Sequence, residues 1–493
     1  MNDDLADMVP PARRNGRSSR KPVDIPCAGT GAGATQSGRT RPLPRPDPWQ
    51  ASSALRCVNP ATLEQLGTVA VTTADQLDDL LTRAHHAFAG WRVDREVRRR
   101  YLTDCARELL RAVDTLAPLL TMEQGKPLRE SEDEIRLAAE CLADAAATAW
   151  EDDALAHRYD GRTAVVEHRP FGVVAVLVPW DLPILRMAVT VGPALAAGNA
   201  VVVEPPASVA LSVTRTVELL GSALPPGVLD VSVGTRRASS ALVAHPKVRL
   251  VSYAGSRRGA TRIAGQAARH LTPATLTTAS GSAALLLCDA PADEAAITLA
   301  RSAFANAGQT LDAPKSAYVP AHLVGDFCDT FVDTIRTLTV GDGMTPATTV
   351  GPLHSARQLT RTEDLLRHAI ASGAALVTGG GRGTNLPGHF LEPTLLRDRD
   401  GLLEPETVSS GPAFTVIGYH DFDQALDRIN STFPVPNTSV WGSDLDRAAK
   451  VAERIDAGSV SVGRSETLCT AWPFDGGVDC AVEQFLRQRV ITH

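Results

Sequence analysis

Eight cysteines and five lysines are the side chains from which covalent chemistry would be drawn. The cysteines are Cys27, Cys57, Cys105, Cys141, Cys288, Cys328, Cys469 and Cys480; the lysines are Lys21, Lys126, Lys247, Lys315 and Lys450. The cysteines are scattered over all 493 residues and none forms a Cys-x-x-Cys pair. That pattern argues against a disulfide framework, and no Cys/His cluster has the spacing of a zinc site. It predicts a reduced, cytoplasmic protein without metal. Any reaction that needs a lysine has very few candidates.

The elements that must position such groups follow from hydrophobic periodicity. Residues 1–50 carry many Pro, Gly, Ser and Arg without periodic apolar positions, which predicts a disordered extension. A docking arm using Arg13, Arg14, Arg17 and Arg20 is the alternative. From about Arg56 the texture changes. Ala74 to Trp91, Glu96 to Glu123 and Ile135 to Trp150 show helical spacing, and Tyr159 to His168 reads as a hairpin around Asp160-Gly161. Apolar strands then alternate with helices. Val173–Val178 precedes a helix over Ile184–Ala197 closed by Gly198-Asn199. Val201–Val203 precedes a helix capped by Ser208, and Leu229–Val233 is a third strand. Leu250–Tyr253 leads through Gly255-Ser256 into a helix reaching about His270. Continuous apolar strands separated by helices imply a parallel sheet covered on both faces, an architecture that binds dinucleotides at strand C-terminal ends. A second α/β region is expected from Ala283 to about Val462, with Ser443 capping a helix that ends near Gly458.

Ten short segments, in order, carry a more specific signal. They are Glu123-Gln-Gly-Lys-Pro-Leu128, Pro179-Trp-Asp-Leu-Pro183, Gly192-Pro-Ala-Leu-Ala-Ala-Gly-Asn199, Leu224-Pro-Pro-Gly227 and Gly255-Ser256. Further on come Asn306-Ala-Gly-Gln309, Gly351-Pro-Leu353, Phe390-Leu-Glu-Pro-Thr394, Gly411-Pro412 and Pro473-Phe474. With these, the sequence from about residue 56 to its end resembles the aldehyde dehydrogenase superfamily. The resemblance implies an α/β fold of three parts. These are a Rossmann-type dinucleotide-binding domain (51–150 and 171–279), an α/β catalytic domain (280–475) and a small β oligomerisation extension (151–170 and 484–493).

The family's reaction makes four demands. A cysteine thiolate attacks the aldehyde carbonyl, an asparagine amide and a backbone N–H stabilise the oxyanion, hydride passes to the nicotinamide, and a glutamate activates water. At the implied positions this sequence departs from each residue. The nucleophile position is Leu311, which has no nucleophilic atom. The base position, thirty-four residues earlier, is Thr277. The oxyanion position beside Trp180 is Asp181, whose carboxylate would repel a developing oxyanion; its alternative role is to cap the following helix. On the cofactor side, the implied lysine and glutamate of the ribose segment are Glu204 and Ala207, the latter closing Glu204-Pro-Pro-Ala207. The nicotinamide-ribose glutamate is Val408, and the asparagine of the last strand–loop segment is Gly463. The implied cofactor-binding residues that remain are Gly255, Ser256 and Trp180; Gly255 and Ser256 are able to meet a pyrophosphate at a helix N-terminus, with Arg257 and Arg258 either assisting or simply solvated. Cys469, in a loop near the implied substrate entrance, is a candidate relocated nucleophile or an incidental thiol. His354 is a candidate base or a plain surface turn residue. The family's Lys-x-Ser-Gly-x-Gly-Arg-Glu run is missing after Pro473-Phe-Asp-Gly-Gly477.

The expected function is therefore an aldehyde dehydrogenase superfamily protein inactive in NAD(P)-dependent aldehyde oxidation, acting as a partner, scaffold or small-molecule sensor. Repurposed Cys-independent chemistry is the alternative, and residual NAD-dependent oxidation the third. The cofactor stays open: NAD is weakened and NADP disfavoured by the acidic Glu204. A net charge of −7 gives no case for nucleic acid or an anionic membrane, and the longest apolar stretch, Phe171 to Trp180, is shorter than the roughly 20 residues of a membrane span. The expected partners are copies of the chain or a related protein, with a small-molecule ligand.

Overall fold

The computed structural model describes residues 54–148, 155–159, 162–278, 282–383, 386–398, 411–431, 437–463 and 482–492. Residues 1–50, Val408, Cys469 and Pro473-Phe474 lie outside them.

A two-stranded ribbon, β1 (Ala54–Val58) and β2 (Gln65–Ala70), opens the described residues. Four helices follow: α1 (Ala74–Trp91), α2 (Arg95–Arg111), α3 (Val113–Gln124) and α4 (Leu128–Ala147). The periodicity over Glu96 to Glu123 reads as one stretch, but the chain breaks it at Ala112 into α2 and α3. Strands β3 (Leu155–Tyr159) and β4 (Arg162–Pro170) form the predicted hairpin.

The first large sheet contains β5 (Val173–Leu177), β6 (Ala200–Glu204), β7 (Leu229–Val231), β8 (Val248–Gly255) and β9 (Ala274–Thr278), all parallel in the order β7-β6-β5-β8-β9. The helices between them are α5 (Pro183–Ala196), α6 (Ala210–Ser222), α7 (Arg236–Ala244) and α8 (Arg257–Arg269). Alternate residues of β5 serve opposite cores. Val174 and Val176 pack with α2, α4 and α5, while Val173, Ala175 and Leu177 pack with α1, α7 and α8. This is why the strand is apolar at every position.

The second sheet has seven strands in the order β12-β13-β14-β11-β10-β15-β16. Its strands are β10 (Ser282–Leu286), β11 (Pro314–Pro320), β12 (Ala375–Thr378), β13 (Thr394–Asp398), β14 (Ala413–Tyr419), β15 (Asn437–Trp441) and β16 (Ser459–Val462). Only β12 runs antiparallel to its neighbour. Helices α9 (Ala292–Phe304), α10 (Val324–Arg336), α11 (Ala356–Ala371), α12 (Phe422–Asn430) and α13 (Leu445–Ala452) cover it. The last strand, β17 (Leu486–Thr492), returns to pair antiparallel with β4. Among the described residues no helix is long and apolar enough to cross a membrane.

Three predicted caps are corrected. Helix α13 is capped by Asp444, whose side chain accepts from the Arg447 N–H at 3.0 Å; Ser443 donates its hydroxyl to the Asp289 carbonyl, and the helix ends at Ala452. Helix α6 has no side-chain cap from Ser208. Its first N–H groups, on Leu211 and Ser212, donate at 2.7 Å each to the buried carboxylate of Glu123, at the end of α3. Helix α5 is likewise capped from outside, by Glu134 of α4, which accepts from the N–H groups of Ile184 (2.7 Å) and Leu185 (3.2 Å). Caps of this kind satisfy the orphan donors of a helix start through a distant residue. Lys126 forms a fully buried ion pair with the other oxygen of Glu134. Removing one partner of such a pair leaves an uncompensated buried charge, so Lys126→Met is expected to cost about 3–5 kcal/mol in urea unfolding.

Candidate functional site

The residue at position 311 is presented by a tightly built loop. After α9 the chain passes through Asn306, Ala307 and Gly308 with φ of 50°, 53° and 63°, three successive left-handed residues. Such conformations cost energy in non-glycine residues and persist only where surroundings enforce them. Here the Gln124 amide donates to Asn306 Oδ1 at 2.7 Å, and the Asn306 N–H donates to Glu130 Oε2 at 2.9 Å. Gln309 Nε2 donates to the Asn306 carbonyl at 3.0 Å, and the buried Lys315 ammonium donates to the Gly308 carbonyl. Gly308 has no room for a side chain, because a Cβ would collide with the Gly411 carbonyl. Gly308→Ala is expected to lower the thermal midpoint by several degrees through strain and this collision, whereas Gly265→Ala, where a Cβ meets nothing, is not.

The Leu311 N–H donates to Asp181 Oδ2 at 3.0 Å. This contact corrects the reading of Asp181 as a helix cap. Leu182, with φ of 43°, occupies the position before α5 and makes no side-chain cap, and the helix donors go to Glu134. Asp181 is only 2% exposed. Arg186 lies beside it, with Nη2 at 4.0 Å from Asp181 Oδ2 and 2.7 Å from Asp312 Oδ1. Burial pushes the Asp181 carboxyl up to about 7, against the opposing pull of Arg186 and the Leu311 N–H. Burial likewise pushes Glu130 up to about 7 and Lys315 down to about 8.

Trp180 stacks on His354, with ring centroids 3.7 Å apart and planes at 15°. Gln309 Oε1 accepts from the His354 N–H at 2.9 Å and lies 3.2 Å from its Nδ1. His354 is thus a half-buried turn residue, anchored by Gln309 and by the Trp180 ring. Burial, then the neighbouring His389, push it down to about 3, too weakly basic to take protons near neutrality. Thr277 sits half-buried on β9, in register with Ala254 of β8; its hydroxyl is no base at neutral pH.

The cofactor-type positions collect at the C-terminal ends of β6 and β8. Glu204 ends β6 and is 7% exposed. Its Oε1 accepts from the Ser239 hydroxyl, while its Oε2 is buried and has no hydrogen-bond partner among the described residues. Burial pushes this carboxyl up to about 7, opposed by Ser239 and Arg262. Ala207 is exposed beyond the two prolines. Ser256 caps α8, its Oγ accepting from the Gly259 N–H at 3.2 Å, and Gly255 takes φ of 149°. The Tyr253 ring folds over this turn, so a Cβ at Gly255 or Gly259 would meet its hydroxyl. Arg257 and Arg258 are exposed at the helix start. An unfilled carboxylate acceptor and a glycine turn opening a 13-residue helix fit the ribose and pyrophosphate of a dinucleotide.

Sequence reasoning missed Arg186, Asp312, Lys315, Glu130 and Ser239. Arg186 did leave a signal: it is the one charge in the apolar run Pro183–Val191. Its partner Asp312 is 126 positions away, beyond any local pattern.

The aldehyde dehydrogenase family profile matches residues 49–487. The chain is 33% identical over 431 residues to a 4-(hydroxymethyl)benzenesulfonate dehydrogenase of Comamonas testosteroni, covering 85% of this chain and 89% of that protein. It is 29% identical over 432 residues to the mitochondrial succinate-semialdehyde dehydrogenase of Arabidopsis thaliana, covering 86% and 81%. Among solved structures, an NADP-dependent enzyme of E. coli superposes with a TM-score of 0.85 at 27% identity, covering 90% of this chain and 95% of that one.

The buried carboxyls of Asp181, Glu204 and Glu130 dictate a pH dependence. Each is raised from an ordinary value near 4 to about 7. The folded state therefore favours their neutral forms, and the stability this gives is complete below about pH 4 and lost as pH rises through 7. Asp181→Asn removes one such group. The variant is expected to gain stability relative to the parent as pH rises from 4 to 8, as measured by thermal unfolding across that range.

Proposed function

Because the chain belongs to the aldehyde dehydrogenase family, we propose that it uses the family's cleft without the family's thiol chemistry, as a partner, scaffold or small-molecule sensor. The observation that carries this reading is the 3.0 Å hydrogen bond from the Leu311 N–H to Asp181 Oδ2. The resemblance calls for a backbone N–H as one donor to the oxyanion, and this is the N–H at the nucleophile position. Here it is already spent on a carboxylate inside the chain, and the side chain it belongs to carries no nucleophile. An oxyanion arriving there finds the Leu311 N–H occupied and, when Asp181 is ionised, an acceptor in place of a donor, so electrostatic stabilisation of the addition step is weakened while the addition itself is lost with the nucleophile. Groups that act as a unit in catalysis are not replaced piecemeal.

Purified protein mixed with NAD and a panel of aldehydes is expected to form no NADH above background. Sustained NADH formation by the parent chain would overturn the reading. The triple variant Asp181→Asn, Thr277→Glu, Leu311→Cys is expected to gain a thiol that an aldehyde protects from iodoacetamide.

A second reading has one observation in its favour. Asp181 and Glu130 near 7 and Lys315 near 8 place three titrating groups around one loop, an arrangement associated with acid–base chemistry. It predicts a Cys-independent turnover lost on Asp181 substitution. On either reading, we take the sheet formed by β3, β4 and β17 as the subunit contact and the protein as cytoplasmic.

A further inference from the structure

We infer that the crevice at the carboxyl ends of β10, β11 and β14 is a second small-molecule site, separate from the Asp181–Leu311 cleft, and that it takes an uncharged, largely aromatic molecule. Strand β11 keeps the two apart. Leu311 lies just before its first residue, Pro314, whereas the crevice begins at its last, Pro320, so about 20 Å of strand lies between them. The inference is independent of how the cleft is read.

Topology makes the crevice. After β10 and β11 the chain crosses to α9 and α10, which pack on one face of the sheet with Leu286 and Val319. After β14 and β15 it crosses to α12 and α13, which pack on the opposite face with Leu285 and Ile417. In the parallel order β14-β11-β10-β15, neighbouring connections therefore diverge at two boundaries, β14/β11 and β10/β15. Diverging connections leave a gap outside the carboxyl ends of the strands, which is where open α/β sheets hold ligands. Here the gap is a cavity of about 590 Å³, a size suited to a small molecule.

The lining decides the occupant. Leu287, Pro320, Val451 and the rings of Tyr419 and Phe422 make it mostly apolar. The Tyr419 hydroxyl donates to the Leu286 carbonyl at 2.6 Å, which holds that ring in place. The cations nearby are matched inside the chain. Arg447 pairs with Asp289 and also donates to Cys288 Sγ at 3.6 Å, and Arg454, over the Phe422 ring, pairs with Asp423 at 2.6 Å. The helix starts, elsewhere a place for phosphate, are taken by carboxylates. Asp421 caps α12 and Asp444 caps α13, while the first turns of α9 and α10 carry Asp293, Glu294 and Asp326. A phosphate or carboxylate ligand is repelled by these groups, and an ammonium meets the Arg447 guanidinium. An uncharged ligand meets neither penalty. Its aromatic surface packs on Tyr419 and Phe422, and its polar atoms reach the exposed imidazoles of His322 and His420, which line the same cavity and can donate or accept. Cys288, the one exposed thiol among the described residues, lines the cavity too and reports on its occupancy.

The test uses full-length protein and alkylation of Cys288 by iodoacetamide, read by mass spectrometry of its own peptide so that other thiols do not enter. Two uncharged probes, N-phenyl-1-naphthylamine and 2-naphthol, are expected to slow that alkylation about fivefold or more near saturation. The anion 2-naphthoate, of similar size, is expected to slow it less than about twofold at the same concentration. Ala321→Trp, which sets a ring in the cavity from the turn after β11, is expected to remove the effect of both uncharged probes, with folding checked by circular dichroism. His420→Trp makes the same block from the β14 side should the first variant not fold. Unchanged alkylation of Cys288 with both uncharged probes would overturn the inference. So would equal protection by 2-naphthoate, or protection that persists in a folded Ala321→Trp or His420→Trp protein.

Discussion

Glu134 is where three stretches of the chain are fastened together. One of its oxygens accepts the first N–H groups of α5, and the other holds Lys126 from the turn between α3 and α4. All of these groups are buried, so none can fall back on water. A buried charge in this situation is stable only if every donor stays in place. The start of α5 is consequently fixed, and with it the Trp180-Asp181-Leu182 turn immediately before it. The contact between Asp181 and Leu311 joins this fixed turn to the loop after α9. The cleft is thus assembled on a polar hub, while the apolar faces of the sheets supply the bulk of the burial.

The scarcity of lysine acquires a structural meaning. Two of the four lysines among the described residues, Lys126 and Lys315, are buried, and both hold backbone or carboxylate oxygens around the cleft. Their ammonium groups neutralise acceptors that would otherwise be desolvated alone. The same economy governs the acids. Glu123 and Glu134 do for α6 and α5 what Ser208 and Asp181 look suited to do from their sequence neighbourhood.

Much of the fold was legible because its signals are local. Strands such as Val201–Val203 are apolar at every position, and α1 follows its 3.6-residue period from Ala74 to Trp91, as predicted. Helix α7 was not seen, because the short run Arg236–Ala244 buries only Ala238, Ser239, Leu242 and Val243. The break at Ala112 was invisible for the converse reason: the apolar period runs on through it. At the site, glycine-bearing turns and the identities of residues 181, 204 and 311 could be read directly. What they do could not. Asp181 finds its partner 130 positions away, and Glu204 finds Ser239 thirty-five away, so their roles are set by packing that no neighbouring residue encodes.

The pairing of β17 with β4 bears on how the molecule is made. Strand β4 gains its second neighbour only from residues 486–492, and the buried Asn199 amide, which closes α5, donates to the Phe485 carbonyl at 3.0 Å. The region around β4 and α5 therefore takes hydrogen bonds from residues 485–492, far along the chain. Contacts of such long sequence separation close slowly, since the whole intervening chain must be ordered or looped out first. As the chain folds, the five-stranded sheet can form first, yet Asn199 and one edge of β4 are completed only when residues 485–492 are in place. Until β17 docks, β4 presents an open sheet edge, a template for pairing with other chains.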